Sequence, residues 1–134
     1  MTYSDDGSKC LVVSGRLVEV GDQKELQVID LKSMSTLLES PIVIAEGVTH
    51  AVFSPDAKSF LTASRDNSAR IWSSTTGQPI SRPFGQDGNV EWVAYDAKGG
   101  LVVTCGISLN DRGVARVWDV STGFPVTAEL EHPS

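Results

Sequence analysis

Few side chains in this sequence are equipped for chemistry: two histidines, His50 and His132, two cysteines, Cys10 and Cys105, and a scatter of aspartates. A zinc site needs three or four such ligands converging at short spacing. Neither cysteine stands in a C-x-x-C pair, and the two histidines fall in different structural units, defined below. "SDDG" (4–7) and "SPDA" (54–57) lack the alternating oxygen ligands of a calcium loop and read as turns with solvated carboxylates. The sequence has no G-x-S-x-G elbow, no phosphate-cradling glycine loop and no H-E-x-x-H pair. No catalytic group, metal or cofactor is therefore expected. What remains suits recognition: Trp92 and Arg65 belong to the residue types that dominate protein interfaces.

The elements that hold these residues are short strands. In "FLTASRDNSARIWSSTTGQP" (60–79), apolar runs alternate with Ser/Asp/Asn/Gly clusters, which is the hairpin signal. The hairpin recurs. "FSPDAKSFLTAS" (53–64) aligns without gaps with "YDAKGGLVVTCG" (95–106) and "YSDDGSKCLVVS" (3–14). The next strand returns as "ARIWS" (69–73), "ARVWD" (115–119) and "LQVID" (26–30), followed by "STTGQP" (74–79), "VSTGFP" (120–125) and "LKSMST" (31–36). A period of about 40–45 residues with four short strands per unit is the signature of propeller blades.

These repeats, with their S-x-D-x-S-x-R-(I/V)-W core followed by T-G-x-P, resemble the WD-repeat β-propellers, in particular the bacterial variety. The resemblance runs through essentially the whole chain and is most specific at 48–79 and 113–123. The first repeat departs from it, with Ile29 in the tryptophan position and no aspartate six residues before it. The resemblance implies an all-β fold of three four-stranded antiparallel sheets, strands a to d in each. The blades are expected at about 1–44, 45–86 and 87–134, twelve strands in all. Strand b of the second blade is expected at Ser59–Ala63, strand c at Ser68–Ser73 and strand d near Pro79–Phe84. Leu61, Ala63, Ala69 and Ile71, and later Val103 and Val117, should pack between neighbouring sheets. Both cysteines fall on second strands and read as small buried apolar side chains.

In the resembled family, an aspartate of the b–c turn, a Ser/Thr of strand b, a tryptophan of strand c and a histidine of the d–a loop form a hydrogen-bonded tetrad. The resemblance assigns Ser64, Asp66 and Trp72 to it in the second blade, with Trp118 as the third blade's tryptophan. His132 stands where a d–a loop histidine would introduce a further blade. The histidine position is Ile44 before the second blade and Gln86 before the third, and Asp111 is one residue out of register. These roles are architectural. The resemblance also places His50 and Trp92, at matching positions near the start of strand a, and Arg65, before the turn aspartate, at a top rim where partners often dock. Alternatively, Trp92 packs against a neighbouring blade. The b–c connections of the first and third blades are longer than the second's, and the first is expected to extend its hairpin to a turn near Gly21–Asp22. Loops on a rigid scaffold are a common home for binding.

Bulk properties narrow the class further. Forty per cent hydrophobic residues supports a globular core. A net charge of −6 with scattered basic residues argues against nucleic-acid binding. No apolar run approaches the roughly 20 residues of a membrane helix, and "MTYSDDGSK" lacks the regions of a secretory signal. The expectation is a cytoplasmic, non-catalytic protein-interaction scaffold. Its partners are expected to be proteins and other propeller blades, the latter from self-association or from the rest of a longer chain. The competing readings are an enzyme domain with an active site on the propeller rim and a purely structural self-assembling unit. Three blades are too few to close a ring.

Overall fold

The computed structural model describes residues 2–17, 22–38, 42–44, 48–127 and 130–132. Among them are thirteen strands and no helix, arranged in three antiparallel sheets. The first sheet holds β1 (Thr2–Tyr3), β2 (Lys9–Leu17), β3 (Asp22–Asp30), β4 (Ser35–Thr36) and β5 (Ile42–Ile44). The second holds β6 (Val48–Phe53), β7 (Ser59–Ser64), β8 (Ser68–Ser73) and β9 (Phe84–Gly85). The third holds β10 (Asn89–Tyr95), β11 (Leu101–Ile107), β12 (Gly113–Asp119) and β13 (Leu130–His132).

The turns explain why the chain reverses where it does. In the a–b turns the hydroxyls of Ser4 and Ser54 each donate to an aspartate two residues on, Asp6 and Asp56, at 2.7 Å. Those carboxylates accept the backbone N–H of Ser8 and Lys58. Asp96 takes the serine's place in the third sheet and accepts from the Leu101 N–H at 3.0 Å. Each turn has one residue at positive φ, namely Gly7 (70°), Ala57 (58°) and Gly99 (75°). Glycine enters that region freely, whereas Ala57 does so against its Cβ.

The c–d turns share a second device. The residue after the tryptophan position caps the turn: Asp30, Ser73 and Asp119 each accept two backbone N–H groups from the residues that follow. The chain then returns to the strand it left, with Ile29 opposite Thr36, Trp72 opposite Pro79 and Trp118 opposite Pro125.

Strand d is broken in every sheet, so thirteen strands are found where twelve were expected. In the first sheet both pieces are strands, and β4 and β5 each pair with β3. At the break a strand-c N–H loses its partner, and a side chain replaces it. The Ser81 hydroxyl accepts from Ile71 N–H at 3.1 Å, and the Thr127 hydroxyl from Val117 N–H at 3.3 Å. The matching residue of the first sheet, Leu38, has no hydroxyl. There the Gln27 amide oxygen accepts from both Val28 and Leu38 N–H groups. The first b–c hairpin is lengthened as expected, its strands pairing as far as Leu17 with Asp22. Asp22 is already in strand, and Gly21 lies outside the described residues.

The core lies between sheets. Leu11, Leu26 and Val28 of the first sheet meet Phe53 and Phe60 of the second. On the second sheet's other side, Leu61, Ala63, Ala69, Ile71 and Phe84 meet Val90, Val93, Val102 and Trp118 of the third. The middle sheet is thus buried on both faces. Val103 and Val117 were expected to pack between sheets, yet they are only half-buried. They occupy the positions of Leu61 and Ile71 on the face of the third sheet turned away from the second.

Candidate rim site for protein docking

His50 and Trp92 lie on β6 and β10, the first strands of adjacent sheets. Both strands carry a bulge, between Val48 and His50 and between Val90 and Trp92, which makes Thr49 and Glu91 the inserted residues. A bulge re-aims the side chains around it. Here it turns the His50 imidazole onto the Trp92 indole, stacked at 3.9 Å between ring centroids and 16° between planes. His50 Nδ1 also accepts the Val93 N–H at 3.2 Å, and the Thr49 hydroxyl donates to the Val90 carbonyl at 2.6 Å. Side chains of one sheet therefore satisfy the backbone edge of the next. Burial holds the imidazole below the ordinary histidine value. A neutral ring is what an accepting Nδ1 requires.

Trp92 therefore packs against a neighbouring blade and still leaves 58% of its surface exposed. Asn89, at the start of the same strand, pairs with Ile107, and the b–c turn beyond it carries Leu109, 82% exposed. Arg65 stands exposed in the b–c turn of the second sheet. One end of the sheets thus presents a fixed indole, two bare aliphatic side chains and a guanidinium.

The tetrad assignments need correction. Asp66 accepts from the Ser64 hydroxyl, from Ser68 N–H at 3.0 Å and from the Ser68 hydroxyl at 2.6 Å, all within its own exposed turn. Trp72 is bound elsewhere, its Nε1–H donating to Thr62 at 3.0 Å. Trp118 donates likewise to Thr104 at 3.0 Å. Ser64 and Trp72 therefore belong to two separate pairs. Register gives the reason: Phe60 is opposite Trp72, so Thr62 is its diagonal neighbour on the same face, whereas Ser64 is a further pair away. The same count picks out Thr104 from Val102 opposite Trp118. Trp118 is buried and Trp72 half-buried. Arg116 and Arg70 lie over their indoles, 5.4 and 5.7 Å from the ring centroids.

Gln86, in the histidine position before the third sheet, is buried. Its backbone N–H donates to the Asn67 carbonyl at 3.1 Å and its Nε2 to the Asn89 carbonyl at 3.2 Å. This loop lies so close to β11 that a Cβ on Gly106 would fall 1.8 Å from the Asn89 oxygen and 2.6 Å from Gln86 Nε2. Gly106 is the counterpart of Ser64. The b–c turn of the third sheet is closed by Ser108, whose N–H donates to the Arg112 carbonyl and whose hydroxyl accepts the Arg112 N–H. Asp111 sits there at φ 56°. His132 pairs through its backbone with Gly113 and Ile44 with Lys24, and both side chains lie outside the described residues. Among the described residues no cluster of three or more His, Cys, Asp or Glu is placed to hold a metal, and no helix is long and apolar enough to cross a membrane.

Residues 39–73 match the family model described as WD domain, G-beta repeat. The chain belongs to the WD-repeat family. Its WD repeats are 31% identical over 121 residues to the kinesin-like protein KIF21B of Homo sapiens and, to the same degree, to that of Mus musculus. That alignment takes in 87% of this chain but 7% of the human protein and 6% of the mouse protein. Among solved structures, Kuenenia stuttgartiensis hydrazine synthase superposes with a TM-score of 0.74 over 97% of this chain and 36% of its own, at 15% identity. That likeness concerns the fold, a set of consecutive propeller-type blades.

Proposed function

We propose that this WD-repeat chain is a non-catalytic scaffold that docks a protein partner on the rim formed by Trp92, His50, Arg65 and the 107–113 loop. The observation that carries the reading is Trp92, an exposed indole already immobilised by its stack on His50. An aromatic side chain held rigid before binding loses little entropy on contact, and tryptophan and arginine are the commonest anchors of protein interfaces. Similarity to WD repeats supports the class, since such repeats generally mediate protein–protein contacts. The acidic balance favours proteins over nucleic acids as partners. Cys10 and Cys105 are free thiols on different sheets, in keeping with a cytoplasmic setting.

The test is site-specific photo-crosslinking from position 92 and from position 124 in cells. Phe124 is equally exposed, at 58%, but sits in a c–d turn, at the other end of β12 from the 107–113 loop. A discrete protein adduct from position 92, absent from position 124 and lost when Arg65 is also changed to Glu, is expected. Equal labelling from both positions would sink the rim assignment. Reproducible turnover by the purified chain, abolished by a point mutation, would overturn the non-catalytic reading.

A further inference from the structure

We propose that the neutral imidazole of His50 latches the rim, and that a proton on this ring frees Trp92 and parts β6 from β10. The inference names a regulation of the rim site. Its consequence for docking rests on the rim reading, whereas the latch itself does not.

β10 is the end strand of its sheet, so main-chain groups on its free edge need partners from elsewhere. The bulge of β6 supplies two. The Thr49 hydroxyl donates to the Val90 carbonyl at 2.6 Å, and His50 Nδ1 accepts the Val93 N–H at 3.2 Å. Thr49 can donate at any pH. His50 can accept only while Nδ1 carries no proton. A protonated ring sets two N–H donors against each other, and Val93 has no exposed surface, so its N–H is left buried without an acceptor. The same ring backs the Trp92 indole at 3.9 Å, so turning it away from Val93 withdraws the indole's support. An imidazolium keeps an attraction for an indole face, but at a half-exposed site that attraction is at its weakest, while the lost hydrogen bond is buried. The latch therefore opens.

The neighbouring charges do not oppose this. The titratable groups of β10 are Glu91 and Tyr95, and the turn after β7 carries Arg65 and Asp66. Tyr95 ends its strand beside the Ser59 hydroxyl, and Asp66 is taken up by Ser64 and Ser68. Glu91 and Arg65 remain, exposed and of opposite sign. The first sheet meets the second from the other side, and its Lys9 is bound to the Ala57 carbonyl at 3.2 Å. Burial of the imidazole already favours its neutral form.

A nuclear magnetic resonance titration of the full chain between about pH 7.5 and 5 tests the latch. The Val93 amide, the Trp92 indole N–H and the His50 ring should shift with one shared midpoint, and the cross-relaxation between the two rings should be lost at the acid end. His50→Phe, which cannot accept, should hold the Val93 amide at its acid position throughout. His50→Gln, which can accept but does not titrate, should leave both signals flat. Titration of His50 with Val93 and Trp92 unmoved would overturn the proposal, as would cross-relaxation between the rings that survives protonation. Docking is read separately, by crosslinking from position 92 in permeabilised cells. Adduct yield should be lost on acidification in wild type and persist in His50→Gln relative to its own neutral yield. An adduct insensitive to acid in both would refute the gating and leave the rim standing. No adduct at any pH would refute the rim, while the titration still decides the latch.

Discussion

At the residue scale, the two threonines matter more than the turn aspartate. Thr104 accepts from the indole of a tryptophan that is 5% exposed, so removing its hydroxyl leaves a buried N–H with no partner. Asp66 holds only its own solvent-facing turn. Thr104→Val is therefore expected to cost about 2 kcal/mol and Asp66→Ala about 1 kcal/mol, read as shifts in urea midpoint. The reverse order would restore Asp66 to a buried network. His50 makes a separate prediction. Its folded-state pKa lies below the unfolded value, so the unfolded chain binds the extra proton first. The stability it contributes is complete above the unfolded value of 6.5 and is lost as pH falls through 6.5 towards the lower folded value. His50→Phe keeps a stacked ring and cannot titrate. Its deficit against wild type should therefore shrink between pH 7.5 and 5.5, and a constant deficit would contradict the assignment. The carboxylates of Asp6, Asp30, Asp56, Asp96 and Asp119 are shifted down by turn hydrogen bonds, so their contribution is lost only below the ordinary carboxylate value, in a separate window.

At the scale of elements, the turns were legible because each is a local device written in a few adjacent residues. The a–b and c–d reversals need only a serine or aspartate, its acceptor geometry and one left-handed residue. The broken strand d was not legible, since its repair by Ser81, Thr127 or Gln27 joins residues about ten apart with no common motif. The tetrad was misplaced for a related reason. A hydroxyl beside a turn aspartate looks like its partner in sequence, while the choice between Ser64 and Thr62 is set by cross-strand register. The glycines offer a contrast at this scale. Gly7→Ala meets open space and faces only the left-handed backbone cost, about 1 kcal/mol. Gly106→Ala drives a methyl into the Asn89 carbonyl and should cost about 3 kcal/mol, seen as a much larger drop in melting temperature. Equal drops would mean that the 86–89 loop yields easily.

For the whole molecule, the three-sheet plan could be read from the sequence because the same strand pattern recurs in phase along the chain. The depth of burial could not, since it depends on what lies on either side of a sheet. Val103 and Leu61 have the same place in their repeats and very different exposure. Hydrogen exchange should report this as a gradient. Amides of β7 and β8, in the sheet buried on both faces, should exchange most slowly, and those of β11 and β12 faster despite their longer ladders. Uniform protection across the three sheets would imply that the outer face of the third is covered in solution.

The approach of the 86–89 loop to Gly106 bears on how such an array can diverge after duplication. Asn89 opens the same repeat as Gly106, whereas Gln86 closes the one before, so the contact that crosses repeats is that of the glycine with Gln86. Ser64, the matching residue one repeat earlier, carries the Cβ that Gly106 lacks. A copy of the second repeat inserted in place of the third would bring that side chain against Gln86. What is inherited together there is the seam between the second and third repeats, and neither side of it can change alone.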